Sequence, residues 1–266
     1  SVSLGHGRVR PALPITTGDQ LGLAAERNDV VKVKKLLRRG VDPDSTCSGS
    51  GVTPLGVAAE RGYLAIVNCL LESRATVDVQ TNDGLSPLHI SSQFGKNEVI
   101  EVLCARKGDV NLRCGYTGLT PLMYAVQRNF VQTTRMLLQF KAEVNLTGRD
   151  RGTALHLACN FGHFEVLQEL LVPPEVDVLM RNRLGETALE VAITAGADRR
   201  FLMCSHLLRP LNEELGDIAL ANKDAEYLQS AMRAMALKGP QEHVAVPTEL
   251  ISAYLRISAR GGDLEA

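Results

Sequence analysis

The chain has 266 residues and a formal net charge of −1, with 45% hydrophobic residues, only 4% aromatics and no tryptophan. A balance so close to neutral gives no overall steering toward nucleic acid or an anionic membrane surface. No apolar run approaches the ~20 residues of a membrane-spanning helix, and the first residues lack the apolar core of a signal peptide. Six cysteines, at 47, 69, 104, 114, 159 and 204, form no C-x-x-C pair. They read as reduced, structural thiols of a cytoplasmic or nuclear protein.

In chain order, residues 1–16 carry two prolines and two arginines with little periodicity, and are expected to form an extended leader. From residue 17 the chain repeats itself. A helix-ending Gly or Asn recurs at Asn28, Gly62, Gly95, Asn129, Gly162 and Gly196, at alternating spacings of 34 and 33. Both residue types tolerate the left-handed backbone that ends a helix. Upstream, Thr53-Pro54-Leu55, Ser86-Pro87-Leu88-His89, Thr120-Pro121-Leu122, Thr153-Ala154-Leu155-His156 and Thr187-Ala188-Leu189 stand in register. Ser or Thr there predicts an N-cap, and Pro directly after it fits the first helical position, whose N–H has no partner anyway. In the first unit Asp19 takes the capping place. Downstream, Val41-Asp42, Val77-Asp78, Val110-Asn111, Val144-Asn145 and Val176-Asp177 are expected to open each connecting loop.

The stretch 152–177 shows one unit whole. Leu155, Leu157 and Ala158 give a short helix that stops at Gly162, and Val166, Leu167, Leu170 and Leu171 give a second from Phe164. Two such helices cannot bury their apolar faces alone and need copies on either side. After 214 the pattern decays. Arg209-Pro210 cuts the sixth unit short, 217–237 imitates a seventh, and 249–259 predicts one more amphipathic helix. That last helix is either packed on the repeats or free to dock a partner.

Period and motifs together resemble the ankyrin repeat, whose unit is about 33 residues. The resemblance implies an all-α solenoid of stacked helix-turn-helix units with β-hairpin-like loops. It runs over residues 17–239, six clear repeats and a degenerate seventh, followed by a 240–266 extension with one helix. It also implies a non-enzymatic interaction module, a monomeric adaptor or scaffold that grips a protein or peptide on a concave face. Mapped onto this chain, that face comprises Glu60 and Arg61, Gln93 and Phe94, Tyr116, Leu119, Gln127, Arg128, Arg149, Arg151, Asn160, Phe161, Arg183 and Leu184. Mixed arginine and apolar chemistry suggests an extended peptide with apolar anchors and acidic residues. By the same resemblance His89 and His156 join hydrogen-bond networks linking the motif Ser or Thr to a neighbouring repeat, and His163 is structural too.

Several features keep two readings. Lys32, Lys34, Lys35, Arg38 and Arg39 make either a nuclear-import or phosphate-binding patch, or the solvated face of a terminal cap. Gly40 ends the first unit's second helix, and Arg74, Lys107 and Lys141 take that place in the next three. These cations either favour the helix C-termini or meet an acidic partner. Asn111 and Asn145, each with an acidic residue two places before and Leu eight before, resemble targets of an asparaginyl hydroxylase. A ubiquitin-ligase adaptor is a further alternative, although 247–257 lacks the Cys of a degradation box. No G-x-S-x-G, H-E-x-x-H, phosphate-binding or dinucleotide-binding motif is present, so no catalytic residue, cofactor or metal is expected. Nor is nucleic-acid or membrane binding.

Overall fold

The computed structural model describes residues 17–46 and 51–194. The leader, Cys47, the end of the sixth repeat with Gly196 and Cys204, the seventh repeat and the C-terminal extension lie outside the described residues. The described helices are α1 (Thr17–Glu26), α2 (Val30–Arg38), α3 (Pro54–Arg61), α4 (Leu64–Glu72), α5 (Pro87–Gln93), α6 (Asn97–Ala105), α7 (Pro121–Gln127), α8 (Val131–Gln139), α9 (Ala154–Phe161), α10 (Phe164–Leu170) and α11 (Ala188–Thr194). None is long and apolar enough to cross a membrane.

Local chemistry sets the helix ends. Thr53 Oγ1 accepts from the Gly56 N–H at 3.2 Å, and Thr120 Oγ1 from the Met123 N–H at 3.4 Å, with proline at the following position in both helices. Asn28, Gly62, Gly95, Asn129 and Gly162 all have φ between 56° and 77°, as the helix-ending pattern requires. Asp19 departs from expectation: α1 begins at Thr17, so Asp19 sits inside the first turn, where a carboxylate favours the helix N-terminus. The second helix of that unit is capped by Asp29, whose Oδ1 accepts from the Lys32 N–H at 2.9 Å.

Every second helix that the sequence ends in Gly or a cation closes the same way. Gly40, Arg74, Lys107 and Lys141 have φ of 81°, 66°, 65° and 68°. The next residue's N–H then reaches back to an otherwise orphaned carbonyl: Ala75 to Leu70 at 3.0 Å, Gly108 to Leu103 at 2.9 Å, Ala142 to Leu137 at 3.0 Å. Glycine takes this backbone freely, whereas a residue with Cβ gives up roughly 1–2 kcal/mol.

The helices stack in two rows. The odd-numbered helices pack in sequence from α1 to α11, and α2, α4, α6, α8 and α10 form the second row behind them. Between the rows, equivalent residues of successive repeats build stripes of core. Leu21, Leu55, Leu88, Leu122, Leu155 and Leu189 form one, all buried. Val33, Val67, Ile100, Thr134 and Leu167 form another, in which Thr134 is the one polar member and its hydroxyl has no partner. Each repeat thus contributes a thin layer that only its neighbours complete.

The loops between units are hairpin-like. Thr81 and Leu85, Cys114 and Leu119, Gly148 and Gly152, and Asn182 and Glu186 are joined by a backbone hydrogen bond of 2.9–3.0 Å, and the only bridge among the described residues is Arg181–Thr187. Gly84 is at φ 79°, and a Cβ there would lie 2.3 Å from the Gly115 nitrogen, so successive tips touch backbone to backbone.

A second set of contacts ties the repeats at the loop starts. Carboxylate or amide oxygens of Asp44, Asp78, Asn111 and Asn145 accept from the backbone N–H of Thr76, Asp109, Glu143 and Asp177 at 2.9–3.1 Å. This ladder corrects the expected register at both ends. Asp42 and Asp177 align with Asp109, not with Asp78, because each accepts from the N–H two residues ahead, as Asp109 does from Asn111. Asp44 is the true counterpart of Asp78.

Candidate functional site

Two rows of exposed residues run along the stack. The first precedes the left-handed Gly or Asn that ends each first helix, and reads Arg27, Arg61, Phe94, Arg128, Phe161. From Arg61 onward, cation and aromatic alternate repeat by repeat. Phe94 is 43% exposed and Phe161 47%, large values for phenylalanine. The Phe161 ring stacks on His163 with centroids 5.6 Å apart and planes at 20°, which holds it upright without covering it. Arg61 lies 4.0 Å from Glu60, a surface ion pair of little strength. Arg27, absent from the residues expected from sequence, follows from the same position in the first repeat.

The second row is formed by the hairpin tips. Tyr116 is 72% and Leu184 82% exposed. Arg149 is held at its tip, its guanidinium donating to the Gly115 carbonyl and its N–H to the Thr117 carbonyl at 3.0 Å. The Arg183 N–H donates to the Asp150 carbonyl at 2.6 Å. Arg151 has φ 59° at a place where the neighbouring tips carry Gly118 and Gly185. Among the described residues, the Arg128, Arg151 and Arg183 side chains make no ion pair.

Leu119 does not belong to this surface. It is only 9% exposed and packs into the core, while its carbonyl accepts from His89. The tip turns back at Gly118, so the residue after it points inward.

Between tips and first helices lie shallow grooves. One of about 270 Å³ is lined by Glu60, Asn82, Asp83, Gln93 and Phe94 among others. A second, of about 290 Å³, is lined by Asp150, Asn160, Asn182, Leu184 and Glu186 among others. Phe94 and Leu184 therefore each border a hollow that also offers polar acceptors. Asn82, Asp83, Asp150 and Asn182 went unmarked in the sequence, where their only signal is a place at or beside a tip.

The buried histidines are structural. His89 Nδ1 accepts from the Ser86 N–H at 3.1 Å, which leaves Nε2–H to donate to the Leu119 carbonyl, 30 residues on, at 3.1 Å. His156 repeats this with Thr153 at 3.1 Å and the Glu186 carbonyl at 2.9 Å. Burial pushes the His89 pKa down to about 4 and lowers that of His156, so both rings are neutral near pH 7. His163 Nδ1–H donates to the Val126 carbonyl of the preceding repeat at 2.8 Å. Among the described residues no set of His, Cys, Asp and Glu converges as a metal site would. Cys69, Cys104, Cys114 and Cys159 are free thiols.

Asn111 and Asn145 are engaged in the ladder through both ends of their amides. Besides accepting from the next repeat, Asn111 Nδ2 donates to Glu143 Oε1 at 3.2 Å and Asn145 Nδ2 to the Glu175 carbonyl at 2.6 Å. The four cations of α2 and Arg39 at its C-cap are all exposed, and Val33 and Leu36 beneath them are buried.

Stacked two-helix units with a wall of exposed side chains define a repeat solenoid of the kind that binds other molecules. The chain belongs to the ankyrin repeat family: the family model for ankyrin repeats (three copies) matches residues 21–114, 77–148 and 122–217. It is similar to the human SH3 and multiple ankyrin repeat domains protein 2, at 28% identity over 70% of this chain and 10% of that protein. It is also similar to the ankyrin repeat protein YahD of Escherichia coli strain K12, at 30% identity over 64% of this chain and 68% of that one. A fowlpox virus ankyrin repeat protein, FPV222, is 30% identical over 53% of this chain and 18% of its own length. The chain thus spans only a small part of the human and viral relatives. Among solved structures, the ankyrin repeat domain of Bcl-3, described as a unique member of the IkappaB protein family, superposes with a TM-score of 0.65 at 26% identity, over 73% of this chain and 84% of that one. Ankyrin repeats are generally protein–protein interaction modules, and the family is typically non-enzymatic.

Proposed function

We propose that this chain holds an extended peptide of a protein partner on the concave face formed by its hairpin tips and first-helix ends, with no chemistry of its own. The observation that carries this reading is the alternating row Arg61, Phe94, Arg128, Phe161, exposed beside the exposed tip residues Tyr116 and Leu184. Aromatic and arginine side chains dominate interface energetics, and a lone exposed Phe would otherwise gain nothing from water. Neighbouring helices lie about 8–10 Å apart, and an extended chain advances about 3.3 Å per residue. Phe94 and Phe161, two repeats apart, therefore suit apolar anchors about six residues apart, with acidic residues between them facing Arg128. The molecule acts as a monomeric adaptor in the cytoplasm or nucleus, in keeping with its free thiols. The ladder bonds of Asn111 and Asn145 favour a structural role for both over modification by a hydroxylase.

Crosslinking capture with mass-spectrometric identification of the partner, then affinity measurement with Phe161→Ala and Arg128→Glu, tests the reading. Each substitution is expected to weaken binding by about tenfold or more, as loss of a good anchor does. Wild-type affinity in both variants, with circular dichroism unchanged, would overturn it.

A further inference from the structure

We propose that the ends of the second helices form a second docking surface, a row of cations that takes an extended acidic peptide segment. Arg74, Lys107 and Lys141 occupy equivalent places in three successive repeats and all are exposed. Each is held at a φ of 65–68°, the backbone that Gly40 adopts at the same place in the first repeat. Glycine would fit there with less strain, so the side chains have a reason to be present beyond the turn itself. Attraction to the helix C-terminus does not supply it, since that interaction is weak for an exposed cation. Among the described residues none of the three side chains makes an internal hydrogen bond or ion pair.

The row is also kept in line. Thr76, Asp109 and Glu143, each two residues past a cation, donate their N–H to Asp44, Asp78 and Asn111 of the preceding repeat. The carboxylates of Asp44, Asp78, Asp109 and Glu143 therefore run alongside the row of cations, with Asp44 and Asp78 already engaged as acceptors and the Asn111 amide continuing their line. That alternation selects the ligand. With about 8–10 Å between neighbouring helices and about 3.3 Å per residue in an extended chain, a carboxylate on every third residue falls over each cation in turn. A densely charged polyanion would place charges over the acidic row as well, and the chain has no basic excess to compensate. An acidic protein segment with spaced charges is favoured over nucleic acid or an anionic membrane.

The test uses the full chain and the fluorescein-labelled peptide Glu-Ser-Ala-Glu-Ser-Ala-Glu, read by fluorescence anisotropy. Binding is expected at low salt and to fade as salt screens it. The triple variant Arg74→Gly, Lys107→Gly, Lys141→Gly should bind about tenfold more weakly or worse while melting no lower than wild type, because glycine relaxes all three turns. Unchanged affinity in that variant overturns the proposal. So does equal binding of a peptide with its three glutamates adjacent, or tighter binding of oligothymidine or of phosphatidylserine vesicles. Phe161→Ala and Arg128→Glu should leave this affinity unchanged. Loss there would assign the peptide to the concave face and overturn the ridge, without bearing on the concave-face reading itself.

Discussion

Replacing His89 with leucine tests how the repeats are tied together. At pH 7 the neutral ring accepts from the Ser86 N–H and donates to the Leu119 carbonyl in the next repeat, each at 3.1 Å and fully buried. Leucine fills the space but leaves the Ser86 N–H without that acceptor and takes one of two bonds from the Leu119 carbonyl, which still accepts from the Cys114 N–H at 2.9 Å. A buried orphan costs about 1–3 kcal/mol, so a loss of about 2 kcal/mol is expected at pH 7 once the second lost bond and the added apolar burial are set against each other. Acid should shrink this difference. Burial pushes the folded-state pKa of His89 down to about 4 from 6.5. Below pH 6.5 the unfolded chain therefore binds a proton that the folded chain refuses, and stability falls by about 1.4 kcal/mol per pH unit until about pH 4. The wild type should lose roughly 2 kcal/mol from this residue between pH 7 and pH 5, and the leucine variant none of it. Urea unfolding followed by circular dichroism, which suits a chain without tryptophan, gives both numbers. A stability gap that stays constant or widens from pH 7 to pH 5 refutes the neutral, doubly bonded histidine.

Lys107→Gly should stabilise the fold by about 1 kcal/mol, because glycine adopts φ 65° without strain; an unchanged or lower melting temperature contradicts this. Thr134→Val should gain about 1 kcal/mol by removing a hydroxyl that is fully buried without a partner in an otherwise apolar stripe, read as a shift in the urea midpoint. Gly84→Ala should cost about 2–4 kcal/mol, since the new Cβ meets the Gly115 backbone at 2.3 Å, whereas Gly185→Ala, with nothing within 4 Å, should cost only about 1 kcal/mol of backbone strain. Equal melting temperatures for the two glycine variants would show that the tips do not touch. Asn111→Ala should lower stability by about 1 kcal/mol through the lost acceptor of the Glu143 N–H, and hydrogen exchange at Glu143 should quicken.

Much of this architecture is legible before any coordinates. The period, the Ser or Thr caps and the left-handed Gly or Asn positions are short-range features, decided by residues within one turn of each other. The two-helix unit follows from them, and so does the alternating row of Arg61, Phe94, Arg128 and Phe161, because equal places in stacked units line up. What the sequence left undecided involves partners some 30 residues apart. Leu119 looks like a tip residue until the turn at Gly118 points it into the core. Asp42 reads as the loop acid of the first unit until Asp44 proves to be the one that reaches the Thr76 N–H of the next repeat. A basic residue in place of a helix-ending glycine reads as a favourable charge at a helix C-terminus or a contact for an acidic partner, and its cost is hidden until its backbone proves to be left-handed. Periodicity alone determined that the units stack, since neither helix of a unit can bury its apolar face unaided. The stacking itself decided which side chains spend their hydrogen bonds inside the solenoid and which remain free for another molecule, because that division depends on what the neighbouring repeat presents.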